Sequence, residues 1–328
     1  MRAIYLGTPG EQPGTLELTD RPAPKPGPGE VLVETAYGGC NFADTMMWRG
    51  TYPHPKGYPL VAGLEMSGRV AALGPDVTNV AIGDRVASFI EDAGAFAEFC
   101  VAPANKLIPI PDAVGLDQAA AFTIQALTAW HMLHNVSKVQ SGDIVLVHAI
   151  GGGVGLYLTQ MAVAAGATVL GTIGTPGKEK RPLELGAAGV VNRDEADFVV
   201  RIAEIAGRPI DKIYDSTGAT ILDRSFALVR NLGHIVSFGE AEGRPLPNLW
   251  ERLVTKSLTF SRFHLGHVDF DSDIWRISVS AVTEAVKAGD LSVPIEGVFA
   301  FDEVAKMYER LESRQVPGKL LLAINPSL

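Results

Sequence analysis

The sequence predicts a two-domain α/β protein in which a parallel sheet with helices on both faces is inserted into a β-rich domain. Three observations predict it. Residues 1 to about 110 read as short strands separated by Pro and Gly turns. From Ile144 onward, apolar strand-like runs alternate with helical stretches, the pattern of a doubly wound parallel sheet. The tail from about Asp269 to Leu328 offers two helices and two strands, too little for a core of its own, so it is expected to pack back on the first domain. A length of 328 residues suits two cores.

The elements follow in order. Pro22–Gly29 (PAPKPGPG) is a loop that neither a helix nor a central strand tolerates. Val31–Ala36, Ala62–Leu73 and Arg85–Phe89 read as strands, broken at Gly74-Pro75 and Gly83-Asp84, with one short helix over Phe42–Trp48. An Ala-rich helix is expected from Asp117 to about Asn135. The parallel strands are placed at Ile144–Ala149, Thr168–Thr172, Gly189–Asn192, Lys212–Asp215 and His234–Phe238.

Composition narrows the function. Apolar residues make up 47% and charged residues 20%, enough for a packed interior. A formal net charge of −9 disfavours nucleic acid and anionic membranes as partners. Cys40 and Cys100 are the two cysteines, so a disulfide framework is not expected and a four-cysteine zinc module is excluded. The start, Met1–Leu6, runs into a strand-like pattern without an apolar leader, and no apolar run reaches membrane-spanning length, so a cytoplasmic location is expected.

The strongest local signal is Asp143–Gly166, DIVLVHAIGGGVGLYLTQMAVAAG. A buried strand meets the cluster Gly151-Gly152-Gly153-Val154-Gly155, and a helix follows with Val154, Leu158, Met161, Ala162 and Ala165 on one face. Strand, glycine turn and helix together are the dinucleotide-binding context: bare backbone approaches a pyrophosphate, and the helix N-terminus stabilises its charge. Ile150 stands where a strict GxGxxG has its first glycine, and a tight turn without a ligand is the alternative. The second parallel strand ends without a carboxylate before Glu179, whereas NAD sites place one there. Lys178 and Arg181, joined by Arg193, are placed to meet a 2′-phosphate, so NADPH is the expected cofactor; ordinary solvated charges are the alternative.

Several motifs then occur in order: Ala149-x-x-Gly152-Gly153-Val154-Gly155, Gly171-Thr172-x-Gly174-Thr175-x-x-Lys178, Tyr214-Asp215-Ser216-x-Gly218 and Val236-Ser237-Phe238-Gly239, with Asn41-Phe42-x-Asp44 and Arg49-Gly50-x-Tyr52-Pro53 before them. In these the chain resembles the zinc-free quinone oxidoreductases (zeta-crystallin-like) of the medium-chain dehydrogenase/reductase superfamily. The resemblance implies a GroES-like catalytic domain over residues 1–122 and 265–328. It implies a Rossmann-like NADPH-binding domain over 123–264, with the active site in the cleft. It also implies a homodimer joined through the sheet edge at Ser257–His264. Asn41 stands at the position of the zinc-ligand Cys of the alcohol dehydrogenases, and Leu64 at that of the His before Glu65; neither supplies thiolate or imidazole, so no metal is expected. His131 with His134, and His264 with His267, lack an acidic third ligand nearby in sequence.

By resemblance, Asn41 and Tyr52 line the reacting pocket. Tyr52 is placed to donate a hydrogen bond or a proton, or else is an aromatic plug. Asn41 anchors the substrate oxygen or the nicotinamide side. Asp44 orients the loop or bonds the cofactor, or simply caps the helix start. Thr128 and Phe238-Gly239 would contact the nicotinamide end, and Gly152, Gly153, Val154, Gly155, Thr175, Lys178 and Arg193 the rest of the cofactor. Lys319, after Pro317-Gly318, reaches the active cleft or is a surface-turn lysine. Trp48, Trp130, Trp250 and Trp275 are candidates for shaping an apolar pocket, though aromatic residues more often fill cores. The expected activity is hydride transfer from NADPH to a quinone or conjugated carbonyl. Enoyl or alkenal reduction and a non-catalytic NADPH-binding role are the alternatives. The loops Gly50–Tyr58 and Glu240–Trp250 are expected to shape the acceptor site.

Overall fold

A computed structural model of the chain describes residues 1–52, 57–194, 197–244 and 247–328. Pro53, the end of the Arg49–Pro53 match, and parts of the loops Gly50–Tyr58 and Glu240–Trp250 lie outside the described residues. The chain divides into two compact units, Met1–Ile124 with Asp269–Leu328, and Gln125–Val268.

The first unit opens with β1 (Arg2–Leu6), β2 (Leu16–Asp20), β3 (Glu30–Cys40), α1 (Phe42–Trp48), β4 (Leu60–Val61), β5 (Glu65–Leu73), β6 (Arg85–Phe89), β7 (Phe99–Pro103) and β8 (Ile108–Pro109). The helix α2 (Leu116–Trp130) follows, and the division between units falls inside it. The second unit continues with β9 (Ile144–His148), α3 (Gly153–Ala164), β10 (Thr168–Ile173), α4 (Lys180–Glu184), β11 (Gly189–Asn192), α5 (Phe198–Ala206), β12 (Ile210–Asp215), α6 (Ala219–Ser225), β13 (Val229–Ser237), α7 (Leu249–Val254) and β14 (Thr259–Arg262). The tail adds α8 (Asp273–Ala288), β15 (Ile295–Ala300), α9 (Val304–Glu312) and β16 (Lys319–Ala323) to the first unit.

The first unit is built on the long strand β3. It runs antiparallel to β5, β7 and β16, with Leu320 opposite Cys40 and Leu321 opposite Gly39. The strand order is β15-β16-β3-β5-β6-β8, and β2-β1-β4 form a smaller sheet. The helix α8 starts where Ser272 accepts a hydrogen bond from the Trp275 N–H at 3.2 Å, and stops at Gly289, whose φ of 81° a side chain would resist.

The second unit carries the expected parallel sheet, in the order β11-β10-β9-β12-β13-β14. Its central strand β9 is buried throughout, which is why it reads as the unbroken run Ile144-Val145-Leu146-Val147 rather than as an alternation. Leu146, Leu170, Ile213 and Ile235 from four neighbouring strands fill the core with Phe198 and Ile202 of α5.

Some boundaries differ from the local pattern, each for a long-range reason. β3 runs on past Ala36 to Cys40 because Tyr37, Gly38 and Gly39 pair with β16. β5 begins at Glu65, after Gly63 turns the backbone with a φ of 96°. β13 begins at Val229, which pairs with Ile210. The helix expected to Asn135 changes at His131 into a π-helical turn over His131–Val136. In α3 the run Leu156–Thr159 is wholly buried and Val154, Met161 and Ala165 are only partly so. This helix packs on β9, β10, α4 and the π-helical turn, so its apolar surface is not confined to one stripe.

Candidate functional site

The first unit holds a buried polar cluster at the start of α1. Asn41 precedes the helix in extended conformation, and its backbone N–H donates to Asp44 Oδ2 at 2.8 Å, closing the first turn. The Asn41 side chain is engaged at both ends. Nδ2 donates to Glu65 Oε2 at 2.8 Å and to the Gly39 carbonyl at 3.3 Å, and Oδ1 accepts from Lys319 Nζ at 2.8 Å. Lys319 Nζ also meets Glu65 Oε2 at 2.5 Å, with both side chains fully buried. The second carboxylate oxygen, Oε1, accepts the Ile124 N–H at 2.6 Å. Gly39 makes room: a Cβ there would lie 2.1 Å from the Ala120 carbonyl and 2.8 Å from Glu65 Oε2.

Lys319 is therefore an interior residue, and the reading of a surface turn is corrected. The sequence hides this because Pro317-Gly318 before it is turn-like and its partners lie more than 250 residues away. Glu65 entered the sequence reading only as the residue after Leu64, and the structure makes it the centre of the cluster. Asp44 is fully buried, and burial raises its carboxyl from an ordinary 3.8 to about 7, opposed by the Asn41 backbone hydrogen bond and by Lys319. Tyr52 follows the other end of α1 and its backbone N–H donates to the Met46 carbonyl at 3.3 Å. The structure thus brings Asn41 and Asp44 into contact at the start of α1, whereas Tyr52 follows the end of that helix. Trp250 is 77% exposed, whereas Trp48, Trp130 and Trp275 are buried.

The second unit holds the glycine turn. β9 ends at His148, Ala149 takes a φ of 53°, and Gly152 precedes α3 without any side chain capping the helix. The first-turn N–H groups of a helix have no partner within it, so Gly153, Val154 and Gly155 present theirs at the carboxyl end of the sheet, where such folds take an anion. Gly155 lies against the strand end: a Cβ would come within 2.5 Å of the Ile150 carbonyl and 2.7 Å of that of Ala149. The side chain of Gln125, which the sequence reading missed, lies against Gly153, and Thr128, one turn further along α2, is buried.

Lys178 passes beside Gly151. Thr175 is partly buried in the loop after β10, and no carboxylate occupies residues 173–178. Arg193 lies with its guanidinium against Gly174 and forms an ion pair with Glu242. At the end of β12, Asp215 shapes a turn, its Oδ1 accepting from Thr217 Oγ1 at 2.5 Å and its Oδ2 from the Gly218 N–H at 2.8 Å. Phe238 and Gly239 follow β13, and Gly239 packs on Ser216. His148 spans Thr172 at 2.8 Å and Ser225 at 2.7 Å, and burial pushes its imidazole down to about 4, so it stays neutral as a structural link. Among the described residues, no three His, Cys, Asp or Glu side chains converge as a metal site.

Comparison with known proteins agrees with this architecture. Residues 27–112 match the alcohol dehydrogenase GroES-like domain, and residues 153–283 the zinc-binding dehydrogenase family. A quinone oxidoreductase of Pseudomonas aeruginosa is 32% identical over 94% of this chain and 96% of its own. A 2-haloacrylate reductase of a Burkholderia species is 33% identical over 90% and 91%. The crystal structure of Escherichia coli quinone oxidoreductase complexed with NADPH superposes with a TM-score of 0.92 at 30% identity, covering 99% of this chain and 100% of that one.

Two outcomes test the buried cluster. Lys319→Met leaves Glu65 as an uncompensated interior charge and is expected to lower unfolding free energy by about 3–5 kcal/mol in urea titrations, with Lys319→Met/Glu65→Gln recovering part of that loss. For Asp44, the folded chain keeps a proton that the unfolded chain has released between about pH 4 and 7, so its contribution is full below pH 4 and is lost as pH rises to about 7. Asp44→Asn keeps an accepting oxygen without titrating. It is expected to flatten the slope of unfolding free energy against pH over that window by up to about one proton.

Proposed function

Because the chain belongs to the quinone oxidoreductase branch of the medium-chain dehydrogenase/reductase superfamily, we propose that it is an NADPH-dependent reductase delivering hydride to a quinone or related conjugated carbonyl without a metal ion. The observation that carries this reading is the start of α3, where the helix opens on glycine backbone and Gly152 at its N-terminus supplies no capping side chain. The residues present fit the cofactor. Gly152, Gly153, Val154 and Gly155 would hold the pyrophosphate by backbone N–H groups, and Thr175, Lys178 and Arg193 the ribose phosphate. Thr128, Phe238 and Gly239 would meet the nicotinamide end. When bound, NADPH supplies the hydride.

The chain's own groups would do the rest. The Tyr52 phenol donates to the acceptor's carbonyl oxygen as negative charge develops there. Asn41, engaged with Gly39, Glu65 and Lys319, fixes the floor on which α1 starts. Asp44 orients that start through the Asn41 N–H. The donor set does not suit zinc: Asn41 Oδ1 accepts from an ammonium and Leu64 is apolar. We further propose a cytoplasmic location, supported by the buried free thiols Cys40 and Cys100. Among the described residues, no helix is long and apolar enough to cross a membrane.

Purified protein is expected to oxidise NADPH with 1,4-benzoquinone at a rate that EDTA does not change. Tyr52→Phe is expected to lower kcat/KM about 10–100-fold while NADPH affinity holds. A 2-haloacrylate belongs in the same acceptor panel. Turnover of alcohols alone, abolished by EDTA, would overturn the reading.

We also propose a homodimer through β14. Among the described residues this strand ends the parallel sheet with one side unpaired, and neighbouring Trp250 and Val254 are exposed. Light scattering is expected to return twice the 34.8 kDa chain mass, and a single-chain mass would count against the interface.

A further inference from the structure

Arg193 and Glu242 come from well-separated places in the second unit. Arg193 follows β11, an end strand, and Glu242 follows β13; β10, β9 and β12 stand between those two strands in the sheet. Their side chains nevertheless form an ion pair and are largely withdrawn from solvent, at 11% and 26% exposure. The pair therefore spans the carboxyl ends of the intervening strands, the strip where a sheet wound in this order takes a dinucleotide.

Neither partner is there by the accident of a loose surface side chain. The guanidinium lies on Gly174 at the end of β10, so close that a Cβ there would fall 2.8 Å from Nη2. Glu242 is fixed from below: its N–H donates to the Thr217 carbonyl at 2.8 Å, and that of Ala241 to Ser216 at 3.1 Å. The Gly243 carbonyl presses on Gly218, where a Cβ would lie 2.2 Å away. The turn beneath, residues 215–218, is in turn held by both carboxylate oxygens of Asp215.

We propose that Glu242 is a specificity-determining residue that competes with the 2′-phosphate of the bound dinucleotide for Arg193. This rests on the reading that the α3 turn takes a phosphorylated nicotinamide dinucleotide. A 2′-phosphate and a carboxylate repel each other on one guanidinium, so the phosphorylated cofactor binds only as the Arg193–Glu242 pair opens. The unphosphorylated cofactor has nothing to place on Arg193 and leaves the pair intact. Glu242 thus narrows the preference for NADPH over NADH that Lys178 and Arg193 would otherwise set.

Fluorescence titration of the full chain with NADPH and with NADH tests this without turnover. E242Q is expected to bind NADPH about three- to tenfold more tightly and NADH within about twofold of the wild type. E242A, which removes the side chain altogether, is expected to behave the same way. In an R193M background the gain from E242Q is expected to vanish, since there is no guanidinium left to release. Equal tightening of both dinucleotides, no tightening of NADPH, or a gain that persists with R193M would overturn the proposal. A wild-type chain that binds neither dinucleotide would overturn the underlying reading along with it. A wild type that prefers NADPH but is indifferent to E242Q would sink the proposal alone.

Discussion

A single buried carboxylate organises the first unit. Glu65 sits at the start of β5 and takes hydrogen bonds from Asn41 before α1, from the Ile124 backbone in α2, and from Lys319 in β16. An interior charge without partners is too unfavourable to keep, so the four segments that surround it have to be in place together. Gly39 is bare because Glu65 and the α2 backbone close over it. Asn41 is an amide with both ends in use, donating toward the carboxylate and accepting from the ammonium, which a thiolate or a hydrocarbon at that position could not do.

The second unit achieves its order by a different means. Its sheet interior is apolar and continuous, and its polar groups gather at the strand ends. There the backbone does most of the shaping: bare N–H groups at α3, the Asp215 turn, and Gly239 packed on Ser216. His148 links β9 to β10 and α6 as a neutral imidazole, so this edge gains rigidity without gaining a charge. Lys178 and Arg193 lie near the end of β10, and Glu242 reaches in from across the sheet.

What could be read from the sequence was what depends on near neighbours. The helix Phe42–Trp48 and the strand Arg85–Phe89 coincide with their expected bounds, and the glycine turn lies between β9 and α3 as its flanks require. Each is fixed by spacing and turn chemistry over a dozen residues or fewer. The parts that were not legible are meetings of distant residues. Lys319 follows a Pro-Gly pair and looks like a turn residue until β16 is laid against β3. Glu242 sits in a run of small and charged residues with nothing local to tie it to Arg193, 49 positions earlier. Trp250 is apolar and aromatic, and only the finished packing reveals that it faces outward.

The strand order of the first unit also governs when it can be completed during synthesis. β3 is made well before its neighbour β16, with the whole parallel sheet translated in between. Until then the Tyr37–Cys40 end of β3 lacks the strand that pairs with it opposite β5, and Glu65 awaits the ammonium that neutralises it. The second unit, contiguous in the chain, is free to form first, leaving the nascent N-terminal strands as the stretch most in need of protection from aggregation.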